Sequence, residues 1–369
     1  MPEVSARPIW TMILTDLEGN ELNEVRQATD RKVVMSLNKP STAGFTVRPD
    51  NPILQSLFAD DTLLKVYEDT TLRFHGNVVS SELSTQEDGS APSVKVNAAD
   101  PAWRLSRRLL GKSSGGTKFT GDKAKSARKM INELNAEGNT GINLLAEGEY
   151  DSEGEGEYIA GPYKAALSCI NDLAHGFDGF DWYMEPIEYS SGKIVTFRAA
   201  GVYGGSAAAV FEHGYGQKNI RKLSYLRDLA GLANAAYHLP DEGLTEGAEV
   251  KKAEDATSIA HRGRFEVVAD GFGLTDATLR QNWVDEVVRV RKNPRFVVSM
   301  TLDVDDLTGR VPQLGADFWL GDLVHARSVI AGTTIFNGQV RVYQIQIEIN
   351  DNGAATLTPI LLDEEGTEL

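Results

Sequence analysis

Residues 340–349 read VRVYQIQIEI, and the second half of that run decides the fold class. Ile345, Ile347 and Ile349 alternate with Gln346 and Glu348. That is the period of a strand with one dry face and one that is wet or meets a partner. Asp351-Asn352-Gly353 follows as a tight-turn signal, and Ala355 to Leu362 reads as the returning strand. Upstream, Phe296 to Val304 and Leu323 to Ile330 are β-rich as well. The first hundred residues carry the same signature at Trp10 to Thr15, Val33 to Leu37, Phe45 to Val47 and Ser93 to Asn97. Leu63 to Glu68 and Leu72 to Val79 form a predicted hairpin about Asp69-Thr70-Thr71. Asp100-Pro101 then reads as an N-cap with proline at the first helical position.

Between these β-rich ends the pattern changes. In DKAKSARKMINELN (122–135), Ala127, Met130, Ile131 and Leu134 fall on one helical face. Pro162 opens a second predicted helix, Tyr163 to His175, and two strands follow at 180–185 and 193–198. A third helix, Asp276 to Arg291, places Leu279, Trp283, Val287 and Val290 in a stripe suited to lying on a sheet, and Pro294 stops it. The expected fold is α+β and β-rich. Its expected parts are an N-terminal β domain (1–105), an α+β middle domain (106–200), a return segment and linker (201–255), and a C-terminal β domain with a packed helix (256–369).

The chain has 369 residues, enough for two or three domains. Its 41% hydrophobic and 24% charged residues are ordinary globular composition, which excludes wholesale disorder. Lys and Arg number 37 against 53 Asp and Glu, a net charge of −16. Such a balance argues against a surface built to hold DNA or anionic lipid, because both need a basic footprint. A single cysteine, Cys169, excludes an internal disulfide framework and a Cys-rich zinc site. The N-terminal segment lacks the basic start and apolar core of a signal peptide, and no apolar run approaches the roughly 18 residues of a membrane span, so no membrane anchor is expected.

Tests for chemistry fail one by one. Gly111-Lys112-Ser113 resembles the end of a phosphate loop, but Ser106 stands where its first glycine belongs. Asp303, Asp305, Asp306 and Gly309 resemble a calcium loop, yet Thr308 and Leu314 occupy the sixth and twelfth positions, so a β-turn is the expectation. Glu147 to Glu157 is acidic and glycine-rich, the composition of a solvated loop without fixed ligand geometry. The six histidines are scattered, and Cys169 sits mid-helix as a small buried side chain. Arg104, Arg107, Arg108 and Lys112 are expected to form a solvated helix face, since no aromatic platform accompanies them. No catalytic, cofactor-binding or metal-ligating residue is assigned, and no cofactor is expected.

Four stretches, taken in order, resemble the tail hub proteins of long-tailed bacteriophages. The first combines LNKPSTAGFTV (37–47), DTLLKVYEDTTLRFHGNV (61–78) and SVKVNAADPAWRLSRRLL (93–110). The second is IRKLSYLRDLAGLAN (220–234), with Asp228 and Asn234 six apart. The third runs from SIAHRG (258–263) through TLRQNWVDEVV to Asn293-Pro294, and the fourth joins LGADFWLGDLV (314–324) to VRVYQIQIEINDNG (340–353).

The resemblance implies two tube-like β-barrel domains and a homotrimer that closes the distal tail tube and lines the DNA exit channel. It implies as partners a distal tail ring protein, a tape-measure protein, tail-tip or receptor-binding proteins, and genomic DNA in transit only. The location implied is the virion's distal tail, assembled in host cytoplasm. With that reading the acidic balance gains a meaning: a passage that DNA leaves quickly is expected to be neutral or negative, since each phosphate contact adds affinity. Candidate interface residues are Val340, Val342, Ile345 and Ile347 on the long strand, and Leu314, Trp319 and Asp322 on the preceding loop. The alternative from another class is a carbohydrate-binding or wall-hydrolysing tail protein with Trp103, Trp182 or Trp319 as sugar platforms.

Overall fold

The computed structural model describes residues 8–57, 62–85, 92–112, 116–152, 154–175, 178–214, 219–239, 249–269, 277–302 and 311–362. Seven strands come first: β1 (Trp10–Thr15), β2 (Glu21–Glu24), β3 (Thr29–Ser36), β4 (Thr42–Val47), β5 (Leu63–Glu68), β6 (Thr71–Ser84) and β7 (Ser93–Ala99), with one helical turn, α1 (Leu54–Leu57). Next comes a mixed segment: α2 (Ala102–Leu105), β8 (Leu109–Leu110), β9 (Thr117–Asp122), α3 (Lys123–Glu137), β10 (Ile142–Asn143), β11 (Glu155–Ala160), β12 (Lys164–Ala165), α4 (Ala166–Ala174), β13 (Asp181–Ser190) and β14 (Lys193–Ala200). The chain returns through β15 (Ser206–His213) and β16 (Ile220–Asp228). A small unit follows with β17 (Ala235–His238), β18 (Lys251–Glu254), α5 (Ala256–Arg262), β19 (Glu266–Val268) and α6 (Ala277–Arg291). Four strands close it: β20 (Arg295–Leu302), β21 (Leu323–Ile330), β22 (Thr333–Ile349) and β23 (Ala355–Leu362).

The two β-rich ends, expected as separate domains, belong to one sheet. Its main path runs β16-β20-β23-β22-β3-β4-β7-β6-β5-β1-β2, with β15 and β21 attached through β22, thirteen strands in all. The join is the antiparallel pairing of β22 with β3, in which Ile347 faces Val33 and Ile345 faces Met35. Their alternation puts these four side chains on one face, where they enter a single core with Phe45, Val96, Phe211, Val298 and Leu361. The path is open, ending at β2 and β16, so the described strands do not close into a barrel.

Predicted local features hold where the signal is local. β5 and β6 form the hairpin, with Asp69 at φ +51° in its turn. The β22–β23 turn carries Gly353 at φ +83°, a conformation glycine enters without steric penalty. The middle segment has its own core of Ala127, Met130, Ile131, Leu134, Cys169, Ile170, Trp182 and Phe197. Asp122 caps α3 by accepting from the Lys125 N–H at 2.8 Å.

Three elements correct the sequence reading. The second helix starts at Ala166, because Tyr163 has φ +57° and Lys164–Ala165 pairs with β8. Within 147–157, residues 147–149 form a 3-10 turn and 155–160 pair as β11 with β9, where Tyr158 and Ala160 are buried. The stripe of α6 is Val284, Val287 and Val288, with Leu279 and Val290 only half-buried. α6 packs on β17 and β18 beside Ala236 and Ala253 instead of on the large sheet, since a short alanine-lined sheet admits a valine face. The calcium-like stretch 303–309 lies outside the described residues.

Candidate functional site

A buried polar junction ties the middle segment into the sheet. Asp181, at the start of β13, pairs with Arg341 of β22, and their side chains are 10% and 7% exposed. Asp181 Oδ1 also accepts from Asn38 Nδ2 at 2.9 Å, and Asn38 Oδ1 accepts from the Trp182 N–H at 2.7 Å. Arg341 donates further to the carbonyls of Gly321 (2.9 Å) and Tyr203 (2.7 Å). One ion pair and its hydrogen bonds therefore link the β3–β4 loop, β13, the segment before β15, the loop before β21, and β22. Burying both charges is tolerable because each of these contacts satisfies one of their lone pairs or protons. The loops approach closely here: a Cβ on Gly204 would lie 2.3 Å from the Gly321 carbonyl carbon, which requires glycine.

Beside this junction, β13 covers the outer face of β5 and β6. Lys65 Nζ lies 2.6 Å from Glu188 Oε2, and Tyr67 donates to Glu188 Oε1 at 2.7 Å. His75 Nδ1 donates to the Ile187 carbonyl at 2.8 Å, so its buried Nε2 is left as an acceptor without a hydrogen-bond partner. Burial pushes the His75 value down to about 4. Asp100, fully buried on the same small cavity, accepts from the N–H groups of Ser41 (2.7 Å) and Ala102 (2.9 Å). Burial outweighs those bonds and raises its value to about 7.

From β16 to β7 the outer face of the sheet has no covering layer among the described residues. Its side chains are Ser224, Ser299, Thr301, Thr358, Gln344, Gln346, Thr42, Thr46 and Asn97, with Leu226, Val297, Ile360, Leu362 and Val34 among them, all exposed or half-buried. Charges on this face sit in opposite-sign cross-strand pairs, Glu348 opposite Lys32 and Glu82 opposite Lys95; Lys222 at the rim is unmatched. Thr301 and Thr358 share a hydrogen bond of 3.1 Å across β20 and β23. The face is broad, polar and close to neutral.

The candidate interface residues are placed differently from expectation. Val340, Val342, Ile345 and Ile347 are 0–1% exposed in the sheet's own core, so their side chains are not a surface for a partner. Alternation alone does not say which side of a strand is covered from within the same chain. The accessible side of β22 is Gln344, Gln346 and Glu348. Leu314 is buried, Trp319 is half-buried under the Arg73 guanidinium (5.0 Å to the ring), and Asp322 holds the loop by accepting from the Gly205 and Trp319 N–H groups. None of the five tryptophans is exposed: Trp10 and Trp182 are buried, and Trp103, Trp283 and Trp319 half-buried, so no indole presents an open sugar platform. No three His, Cys, Asp or Glu side chains converge as metal ligands among the described residues, and no helix there is long and apolar enough to cross a membrane.

No protein-family model matches the sequence, and a search of curated proteins finds no match. Solved structures do match. The tail protein from Neisseria meningitidis MC58 superposes over 96% of this chain and 97% of its own, with TM-score 0.61 at 12% identity. The 43 kDa tail protein of prophage MuSo2 from Shewanella oneidensis covers 97% of this chain and 100% of its own, with TM-score 0.59 at 10% identity. The chain has a phage tail-protein fold. Prophage tail protein gp18 from Listeria monocytogenes EGD-e, TM-score 0.52 at 11% identity over 97% of this chain and 95% of its own, shares it.

Within this tail-protein fold, the stretches that resembled tail hubs meet in space. Asn38 of the first and Arg341 of the fourth meet on Asp181, and Arg341 also donates to the Gly321 carbonyl of the fourth. Asn234, which ends the second, is fully buried; its side chain donates to Ser258 Oγ and the Gly263 carbonyl and accepts from the Phe265 N–H at 2.8 Å. Sequence reasoning missed Asp181 as an organising residue and marked Asn234 only as the end of a hub-like stretch, without its buried contacts. The available signal was a lone polar residue beside aromatic or small apolar neighbours.

Proposed function

We propose that this chain is a structural component of a phage tail, a homotrimeric hub that closes the distal end of the tail tube and lines the channel through which DNA leaves. The observation that carries the channel reading is the uncovered outer face of the large sheet. A wall that passes DNA without retaining it needs polar side chains and no surplus of cations, since each neutralised phosphate adds affinity through counterion release. Ser, Thr, Gln and Asn with charges matched across strands meet that need. Threefold closure would let a chain of 369 residues enclose a bore. In this reading the chain carries no catalytic function. It contacts a distal tail ring protein and the tape-measure protein on one side and tail-tip or receptor-binding proteins on the other, in a virion assembled in host cytoplasm.

A tail-tip reconstruction by cryo-electron microscopy tests this directly. The expected result is three copies around the tail axis, with Gln344, Gln346 and Ser299 facing the bore. A single copy off the axis, or a face turned outward and covered by another protein, would contradict the channel reading.

A further inference from the structure

The two terminal strands of the large sheet carry opposite charge. Among the described residues β2 bonds only to β1, and its edge presents Glu21 with Glu18 on the adjoining turn, beside Leu17 (41% exposed) and Leu22 (40%). Among the described residues β16 pairs only with β20, and it exposes Arg221, Lys222 and Arg227 beside Leu226 (56%) and Leu229 (47%). None of Glu18, Glu21, Arg221, Lys222 or Arg227 has an ion-pair partner among the described residues, although Glu24 on the same edge is paired with Arg26 at 2.5 Å. Free strand edges of this kind are templates for another strand.

We infer that the β2 edge of one copy docks on the β16 edge of the next. Like edges repel: β16 against β16 sets cation on cation, and β2 against β2 sets carboxylate on carboxylate, which directly opposed pairs do not tolerate well. The unlike combination neutralises both and covers four exposed leucines together. Because the two patches differ, the contact is head-to-tail, the kind that closes into a ring or runs on as a filament. It joins opposite ends of one sheet, so each added copy would add a further stretch of polar face, with the strands beside β13 standing between one stretch and the next. The inference rests on the trimeric reading above and names the surface that makes it.

Charge reversal in the full-length chain tests it, read by light scattering and sedimentation at low and high salt, with circular dichroism to confirm folding. Arg221→Glu/Lys222→Glu/Arg227→Glu alone, and Glu18→Lys/Glu21→Lys alone, should each weaken assembly by about tenfold or more, and combining both sets in one chain should restore it. If the reversed β16 set misfolds, Arg221→Gln/Lys222→Gln/Arg227→Gln is read in its place, with the same direction expected. Trimers that survive both single reversals would overturn this interface and leave the hub reading standing. Loss without restoration in the combined chain would also overturn the pairing. An open filament of wild-type chains sensitive to both reversals would support the interface and contradict the hub, and a wild-type monomer at every concentration would overturn both.

Discussion

The large sheet and the small unit at 235–291 follow the same packing rules and differ in what holds them. In the sheet, β3 and β22 pair across some three hundred residues of sequence, and their alternating faces feed a core drawn from both ends of the chain. In the small unit the buried apolar set is Ala236, Ala269, Val284, Val287 and Val288, and polar contacts do much of the fastening. Asn234 ties three backbone segments, Asp255 caps α5 by accepting from the Ser258 N–H at 2.8 Å, and Ser258 Oγ donates to the Lys292 carbonyl at 2.7 Å. A broad core resists the loss of one side chain only as a whole, whereas a small one opens by itself. The contrast separates global from local stability.

The largest effect should come where the sheet meets the middle segment. Asp181→Ala leaves Arg341 buried without its carboxylate and should lower stability by about 3–5 kcal/mol. Calorimetry should show one broadened or earlier transition. Replacing both partners with apolar residues, Asp181→Leu/Arg341→Met, should recover most of that loss. If the single and double variants unfold alike, the pair does not organise the junction.

Ile347→Ala empties a site in the shared core and should cost about 2–5 kcal/mol, shifting the denaturant midpoint of both β-rich ends together. Separate transitions for the two ends would show that the sheet is not one cooperative unit.

The cavity beside the junction gives a pH test with opposing slopes. The folded value of His75, about 4, lies below its ordinary 6.5, so its stability contribution is present above pH 6.5 and is lost as pH falls toward 4. The folded value of Asp100, about 7, lies above its ordinary 3.8; the folded chain keeps a proton the unfolded chain releases, and stability is lost as pH rises from about 4 toward 7. The two slopes oppose one another between about pH 4 and 6.5. Asp100→Asn should therefore expose a loss of stability toward acid, and His75→Gln a loss toward neutral pH, each measured as the slope of unfolding free energy with pH. Identical slopes in both variants would remove these groups from the account.

The smallest effects belong to the small unit. Val287→Ala and Asp255→Ala should each cost about 1–2 kcal/mol, through lost packing and a lost helix cap respectively. Hydrogen exchange should quicken in α5, α6 and β17 while the large sheet is unchanged. Faster exchange in β22 would mean the two regions are coupled more tightly than their separate cores imply.

Sequence carried far where the information is local. The β5–β6 and β22–β23 hairpins follow from alternation and turn residues within about ten positions, and α3 from an apolar face at helical spacing. α6 was legible as a helix, but its buried face was not: Leu279, Trp283, Val287 and Val290 form as good a stripe as Val284, Val287 and Val288, and only the narrow alanine sheet beneath it chooses between them. The long strand shows the same limit for the candidate site. Its alternation marks a dry face and one that is wet or meets a partner, yet the candidate interface residues Val340, Val342, Ile345 and Ile347 sit in the core, packed against the chain's own opposite end.

Composition, strand period and turn chemistry by themselves determined that this is a β-rich, acidic chain with helical insertions. Those properties depend on residues a few positions apart, which a sequence displays directly. Which strands become neighbours, that the two ends share one sheet, that Asp181 and Arg341 meet, and which face remains open were decided only by the tertiary structure. Each depends on complementarity between segments separated by a hundred residues or more, and the alternation that makes a strand suitable for one neighbour makes it suitable for many.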